Sequence, residues 1–280
     1  MSFLSDETTW EAREVMNGLR GEAGKFRVIY SPELASTNQT LYEMGAAGAA
    51  DGTVVIAGHQ TSGRGRMRRA FFSPDRTGLY MSLLLRRPIP FSDAVYLTPA
   101  AAVATAGAIE ALSGEQAKIK WVNDIYINER KVCGILTETA INAADNARSF
   151  AFAVIGIGVN ITPPCDGFPD AISDVAGVAF RDAQNTENLK FRLAAEILNR
   201  LSELLPNLAS HAFLAEYRER SMILGHSVTV LRGDTATSAL ALSIDDRCRL
   251  VVRYADGHTE ALDSGEVSIK AKRGSREAGN

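Results

Sequence analysis

Apolar and polar positions alternate along this chain in two different ways, and the change of pattern falls near residue 224. Upstream of it, Phe26–Tyr30, Thr53–Ala57 and Leu79–Leu85 are short runs rich in β-branched and aromatic residues and predict strands. Ala117–Trp121 alternates strictly, with Ala117, Ile119 and Trp121 on one side and Lys118 and Lys120 on the other, which predicts a half-exposed strand. Ile125–Asn128 and Lys131–Thr139 predict a hairpin turning near Glu129-Arg130. Phe150–Val159 is apolar on both parities, the pattern of a strand inside a covered sheet. Helical spacing marks a stretch around Trp10, Val15 and Leu19, then Leu189–Leu205 and Phe213–Met222. Ser36, Thr37 and Asn38 are good N-cap types before Leu41, Tyr42 and Met44 and predict a short helix. Pro99 suits the first residue of a helix running to Leu112 with Thr98 as its cap; a helix from Asp93 kinked at Pro99 is the alternative. His59–Asp75 has no period and predicts a long loop.

From Gly225 the segments shorten. Ser227–Leu231, Ser238–Ile244, Leu250–Tyr254, Glu260–Leu262 and Val267–Ile269 are separated by turn chemistry such as Asp245-Asp246-Arg247 and Ala255-Asp256-Gly257, and together predict a small all-β module. The expected organisation is an N-terminal extension over 1–24, a large domain over 25–224, the β-module over 225–271 and a polar tail over 272–280.

Composition narrows the classes. The 280 residues are 46% hydrophobic and 22% charged, which argues against disorder. Cys133, Cys165 and Cys248 are too few and too far apart for a disulfide framework or a Cys-rich zinc site, and fit a reducing compartment. A net charge of −3 argues against a dedicated nucleic-acid binder. The N-terminus has no basic start and no apolar core, so it does not read as a signal peptide. The longest mild stretch, Leu97–Ile109, is broken by Thr98, Pro99 and Thr105, short of the roughly 18–20 apolar residues that span a bilayer. A cytoplasmic protein that binds neither membrane nor DNA is the expectation.

Four segments carry candidate chemistry. Gly63-Arg64-Gly65-Arg66-Met67-Arg68-Arg69 sets four mutually repelling arginines among glycines. Such a loop suits an anion held by paired guanidinium donors, or a solvated or RNA-binding basic surface. Lys120-Trp121-Val122-Asn123-Asp124 ends a predicted strand with a base and an acid, where a carboxylate near phosphates could hold Mg²⁺ or merely form an Asn-Asp turn. Lys131 enters a strand apolar on both faces and needs an anion there unless it snorkels at an edge. Gly134 in that strand suggests a close approach to the backbone. Cys133 has no histidine near it in sequence and reads as a packed thiol, and His59 as a loop residue. Ile155-Gly156-Ile157-Gly158-Val159-Asn160 lacks the following helix of a dinucleotide fingerprint. The P-loop and H-E-x-x-H patterns are absent from the sequence.

The order Ser36-Thr37-Asn38, Gln60…Gly63-Arg64-Gly65-Arg66, Lys120…Asp124, Arg130-Lys131-Val132-Cys133-Gly134-Ile135-Leu136 and Gly156…Asn160 closely resembles the biotin protein ligase family over residues 26–270. The resemblance implies an α+β fold: a mixed sheet flanked by helices, followed by a small C-terminal β-barrel. It implies ATP-dependent ligation of biotin, through biotinyl-adenylate, to a lysine of the biotin carrier domain of a carboxylase. Mg²⁺, ATP and biotin are then the small molecules required. By matching positions, Ser36, Thr37, Asn38, Gln60, Gly63, Arg64, Gly65, Arg66, Lys131 and Gly134 would bind biotin. Arg64, Arg66, Phe71, Lys120, Asn123, Asn160 and Lys270 would contact the nucleotide, with Phe71 covering adenine and Glu266 reaching back to the adenylate from the β-module. Lys131, Arg66 and Asp124 would be catalytic, with Asp124 on the metal or near the attacking lysine. The loop should be mobile when empty and ordered by ligand.

This chain departs from the family pattern at Met67 and Arg68, where Arg and Gly are usual, at Phe71, where Trp is common, and at Val122, where Pro is usual. The 25 residues before the first predicted strand are too few for the helix-turn-helix that lets some members bind DNA, so the form without that arm is expected. A homodimer is compatible with the resemblance. A lipoate ligase or octanoyl transferase of the same fold, the latter using Cys133 with Lys131, and an RNA-binding module built on Arg64–Arg69 are the rival readings.

Overall fold

The computed structural model describes residues 9–87, 89–142, 149–181, 186–232, 235–263 and 266–269. Seven strands form one sheet: β1 (Arg27–Leu34), β2 (Thr53–Gln60), β3 (Gly78–Leu85), β4 (Lys118–Lys120), β5 (Asp124–Ile127), β6 (Arg130–Ile141) and β7 (Phe150–Asn160), in the order β1-β2-β3-β7-β6-β5-β4. Only β1 and β2 run parallel, joined by helix α2 (Thr37–Ala46); every other neighbour is antiparallel. The sheet is therefore mixed, as expected. Asn128 and Glu129, both at positive φ, make the two-residue β5–β6 turn whose twist matches that of the strands.

On one face of the sheet lie α3 (Leu97–Ser113) and α5 (Thr186–Leu204), packed together over Leu79, Met81, Leu83 and Leu85. The other face carries α2, whose Leu41 and Met44 meet Val55, Leu84 and Phe152. Helix α1 (Trp10–Asn17) starts on a Thr9 cap and buries Ala12 and Val15 in the first core. Asn199 of α5 fixes the chain after it, accepting from Arg20 N and donating to Gly18 O.

Two details correct the sequence reading. A 3₁₀ turn over Phe91–Tyr96 runs straight into α3, so Thr98 is helical rather than a cap, and Pro99 sits in the first turn, where no partner is needed for its missing N–H. Phe91–Ser113 is also, by length and composition, apolar enough to cross a bilayer, contrary to the expectation from Leu97–Ile109. It is mostly buried within the protein, and a helix apolar nearly all round is what a core helix requires.

Helix α6 (Phe213–Glu219) leads into five strands: β8 (Ser227–Arg232), β9 (Thr235–Ile244), β10 (Leu250–Tyr254), β11 (Thr259–Leu262) and β12 (Glu266–Ile269). They pair antiparallel in the order β11-β10-β9-β8-β12, a separate small sheet with β11 and β12 outermost among the described residues.

Candidate active site

The face of the large sheet beside α2 builds the site. Register sets Ser82 of β3 beside Gly156 of β7, which pairs in turn with Leu136 of β6; one step along, Tyr80, Gly158 and Gly134 align in the same way. The glycines leave a trough in the sheet. A Cβ on Gly158 would lie 2.5 Å from the Phe71 ring, and one on Gly134 3.3 Å from it, so Phe71 rests directly on this floor. Tyr80 meets that ring edge-on and donates its hydroxyl to Pro74 O, and burial pushes its pKa up to about 12.

A bulge aims Lys131. Pairing of β5 with β6 passes from Ile125↔Cys133 to Tyr126↔Lys131, so β6 carries one extra residue and Lys131 turns to the face of Gly134. Its Nζ lies 2.7 Å from Asp124 Oδ1. Asn123 Nδ2 donates to the same oxygen at 3.0 Å, and Arg66 Nη1 donates to Asn123 Oδ1 at 2.9 Å. Two cations thus converge on one Asn-Asp pair. Cys133 points the other way, into the core. Burial, with the Asp124 charge, pushes its thiol far up, against partial relief from Lys131, which leaves it protonated and a poor nucleophile.

Below the trough is a buried polar floor. Thr37 donates to Gln60 Oε1 from both its N–H and its hydroxyl. Gln60 Nε2 donates to Ser73 Oγ, which donates to Phe71 O. Ser82 Oγ is 2.8 Å from Thr37 Oγ1 and 2.6 Å from Asn38 Oδ1. Asn38 Nδ2 donates to Leu136 O and to Glu138 Oε2, and Glu138 Oε1 receives Arg64 Nη2 at 3.0 Å. Ser36 occupies the N-cap position of α2 but makes no capping bond, and Gln60 satisfies the N–H of Thr37, the first helical residue.

The arginine loop closes over this floor as a small hairpin, with Phe71 N bonded to Gly63 O and Gly65 N to Arg69 O. Met67 and Arg68 both hold positive φ, at 55° and 60°, where the family pattern has a glycine at the second position. Part of the arginines' mutual repulsion is relieved: Arg64 is paired with the Glu138 carboxylate, and Arg66 is turned aside onto the Asn123 amide.

The strand end Lys120–Asp124 is clamped from behind. Tyr217 of α6 donates its hydroxyl to Val122 O, and Trp121 Nε1 donates to Cys248 O in the small sheet. Lys120 Nζ lies 5.9 Å from the centre of the Tyr126 ring. Across the cavity, residues 175–179 are sewn to the ends of β6 and β7 through Lys131 N to Val175 O, Gly177 N to Lys131 O and Asn160 Nδ2 to Gly177 O.

The result is a cavity of about 410 Å³, of the size that takes a small ligand. Ser36, Thr37, Asn38, Gln60, Arg64, Gly65, Arg66, Phe71, Lys120, Asn123, Asp124, Lys131, Gly134 and Asn160 all line it. Gly63 does not; it lies in the loop stem, where a Cβ would strike Phe71 O and Ser73 Oγ, and it lines a recess on the loop's outer side. Lys270 lies outside the described residues, and of Glu266 only the backbone in β12 is described; its neighbour Val267 reaches the cavity. Sequence reasoning missed Glu138, Ser82, Ser73, Tyr217 and the apolar cover from Phe168, Ala171 and Ile172 at α4 (Asp170–Ser173). Ser82 carried a readable signal, as a polar residue inside the otherwise apolar run Leu79–Leu85, and Glu138 carried a weaker one, as a carboxylate within a predicted strand.

Among the described residues, no three His, Cys, Asp or Glu side chains gather to hold a metal. Lys131 and Asn123 both bond Asp124 Oδ1, which leaves Oδ2 for a cation otherwise held by phosphates, the usual way Mg²⁺ binds beside a nucleotide.

Residues 30–160 match the model of the biotin/lipoate A/B protein ligase family, and residues 223–270 that of the biotin protein ligase C-terminal domain. The bifunctional ligase/repressor BirA of Bacillus spizizenii is 44% identical over 163 residues, 58% of this chain and 49% of that protein, so the chain spans about half the length of that relative. The biotin–[acetyl-CoA-carboxylase] ligase of Mycobacterium tuberculosis is 32% identical over 245 residues, 84% of this chain and 86% of that one. The biotin protein ligase of Aquifex aeolicus, solved with biotin and ATP, superposes with a TM-score of 0.67 at 23% identity, covering 88% of this chain and 99% of that chain, and shares the fold. With both domain models matched in order and a third of positions identical across most of two full sequences, this chain belongs to the biotin protein ligase family.

Proposed function

We propose that this chain joins biotin to a lysine of a biotin carrier domain of a carboxylase, using ATP and passing through biotinyl-adenylate. The observation that carries this reading is the composition of one cavity: uncharged polar groups on Ser36, Thr37, Asn38 and Gln60 together with three cations, Arg64, Arg66 and Lys131, of which Arg64 and Lys131 are held by Glu138 and Asp124. That is the complement of a molecule with an uncharged polar head and a carboxylate tail that must meet a phosphate.

In the first step a carboxylate oxygen of biotin attacks the α-phosphorus of ATP, and the bond to pyrophosphate breaks. Both reactants are anions, so charge is the main barrier. Lys131 and Arg66, held in place by Asp124 and Asn123, neutralise the carboxylate and the α-phosphate oxygens together. Mg²⁺, with Asp124 as its protein ligand, would supply further neutralisation of the phosphates. Ser36, Thr37, Asn38 and Gln60 fix the ureido ring, and Phe71, seated on Gly134 and Gly158, gives the chain an apolar wall. In the second step the neutral amine of the carrier lysine attacks the acyl carbon, AMP leaves with the bonding pair, and the amine loses a proton. No enzyme nucleophile is needed, which suits a protonated Cys133 and disfavours the cysteine-dependent octanoyl transfer. Phe71, Lys120 and Asn160 lie along the wall toward which the nucleotide would extend. The cytoplasm is the proposed setting, with biotin carrier protein as the macromolecular partner.

The test is to incubate the chain with ATP, Mg²⁺, labelled biotin and a purified biotin carrier domain. Label on the carrier lysine, dependent on ATP, is expected. Label from octanoate or lipoate but not biotin would give the site to the rival ligase.

A further inference from the structure

Glu138 is a carboxylate between Thr137 and Thr139 of β6, three-quarters covered, and each of its oxygens has a separate task. Oε1 receives Arg64 from the arginine loop, and Oε2 receives Asn38 from the floor. Asn38 cannot turn away, because its amide oxygen takes Ser82 Oγ and lies where a Cβ of Gly156 would be. Arg64 itself is nearly half exposed, and the ion pair to the carboxylate beneath it gives its guanidinium a direction.

We infer that Glu138 is a positioning residue for Arg64, and that through Asn38 it ties closure of the arginine loop to the state of the polar floor. A ligand on the floor that engages Asn38 and Thr37 fixes the amide, which fixes the carboxylate, which holds Arg64 over the cavity mouth. The acid contributes by aiming a guanidinium and touches no reacting atom. Its effect therefore falls on how long the cavity keeps an adenylate and, through Arg64, on the carboxylate end of biotin. The inference rests on the biotin ligase reading.

The experiment is a double-mutant cycle on the full chain with Glu138→Gln, Arg64→Gln and both together. Release of pre-formed biotinyl-adenylate is followed by rapid dilution, and biotin binding by calorimetry. Each single variant is expected to speed release about fivefold, and the double variant about fivefold too, since both remove one half-buried ion pair. Biotin affinity should fall by one common factor in Glu138→Gln, Arg64→Gln and the double variant, because Glu138 acts on biotin only by aiming Arg64 and the Asn38 contact survives as an amide bond in Glu138→Gln. Additive effects near twenty-fivefold on release would overturn the inference, and so would a loss of biotin affinity in Glu138→Gln larger than that in Arg64→Gln, the mark of a damaged floor. If Glu138→Gln fails to fold, the acid is structural and the inference fails. A parent chain that binds neither biotin nor biotinyl-adenylate would instead overturn the functional reading, and this inference with it.

Discussion

Lys131 faces the cavity because β6 has one residue more than its partner at that point, and a side chain that regular alternation would send elsewhere is turned onto the glycine floor. Removing it should leave the Asn123–Asp124 pair and the floor intact but take away one preorganised donor. Lys131→Ala is therefore expected to slow adenylate formation about 100- to 1000-fold while weakening biotin modestly, and transfer from supplied biotinyl-adenylate should suffer less. Single-turnover formation of adenylate at the parent rate would remove Lys131 from the mechanism. Cys133 gives the opposite expectation: Cys133→Ala should keep carrier labelling within a few fold, and iodoacetamide should not inactivate the parent, because the thiol is buried and protonated. Gly156→Ala would put a methyl 1.9 Å from Asn38 Oδ1, so Asn38 must move. Loss of biotin binding with about 1–3 kcal/mol of lost stability is expected by calorimetry and thermal melting. At this scale the sequence was legible wherever a residue type was unusual for its surroundings, as with the arginines and Lys131. The bulge was not, since it exists only in the pairing of two strands, and neither was the placing of Phe71 on Gly134 and Gly158, which are far from it in sequence.

At the scale of elements, the strand end Lys120–Asp124 is short and takes its rigidity from what stands behind it. Tyr217 supports it with one hydroxyl, and burial raises the pKa of that phenol well above its ordinary value, so it stays a donor throughout the working range. Tyr217→Phe should keep the packing but orphan the Val122 carbonyl, lowering stability by about 1–3 kcal/mol in urea unfolding. Helix α3 is joined to the end of α6 by Glu110 and Arg220 at 2.8 Å. Burial alone would raise the Glu110 carboxyl; the Arg220 bond and the Ala117 N–H outweigh it, and the pKa is lowered from 4.5. A carboxyl lowered on folding adds stability above its unfolded pKa and loses it as pH falls through the folded one. The stability gap between parent and Glu110→Gln should therefore be present at neutral pH and close below about pH 4, as read from unfolding midpoints across pH. Most elements were legible because their periodicity is clean, as in Phe150–Val159 and Leu189–Leu205. Helix α3 was misread at its start because a 3₁₀ turn leaves no cap signature, and α4 was missed because four residues carry no period.

Over the whole molecule, the buried core runs without a break from Val28 and Leu83 through Trp121 to Val230, Leu250 and Val252 of the small sheet. The change of pattern near residue 224 was legible, but the joint across it was not: Trp121 to Cys248 O is a contact between residues 127 apart. The order β3-β7-β6 was equally hidden, since nothing local tells Gly78 that it will lie beside Asn160. Both sheets are expected to melt in one thermal transition, and Trp121→Phe should shift that transition without splitting it; two separated transitions in the parent would count against a shared core. Two of the cavity's three cations already face a carboxylate, Lys131 at Asp124 and Arg64 at Glu138, while Arg66 is held by the neutral amide of Asn123. An arriving carboxylate is drawn by the charge left over and must then exchange partners at close range. Long-range attraction is thus far weaker than three unpaired cations would give, and the last step of association is governed by how often the two pairs come apart. Stopped-flow association of biotin should accordingly slow only mildly, about twofold, between low and physiological salt, where three unpaired cations would make it fall steeply.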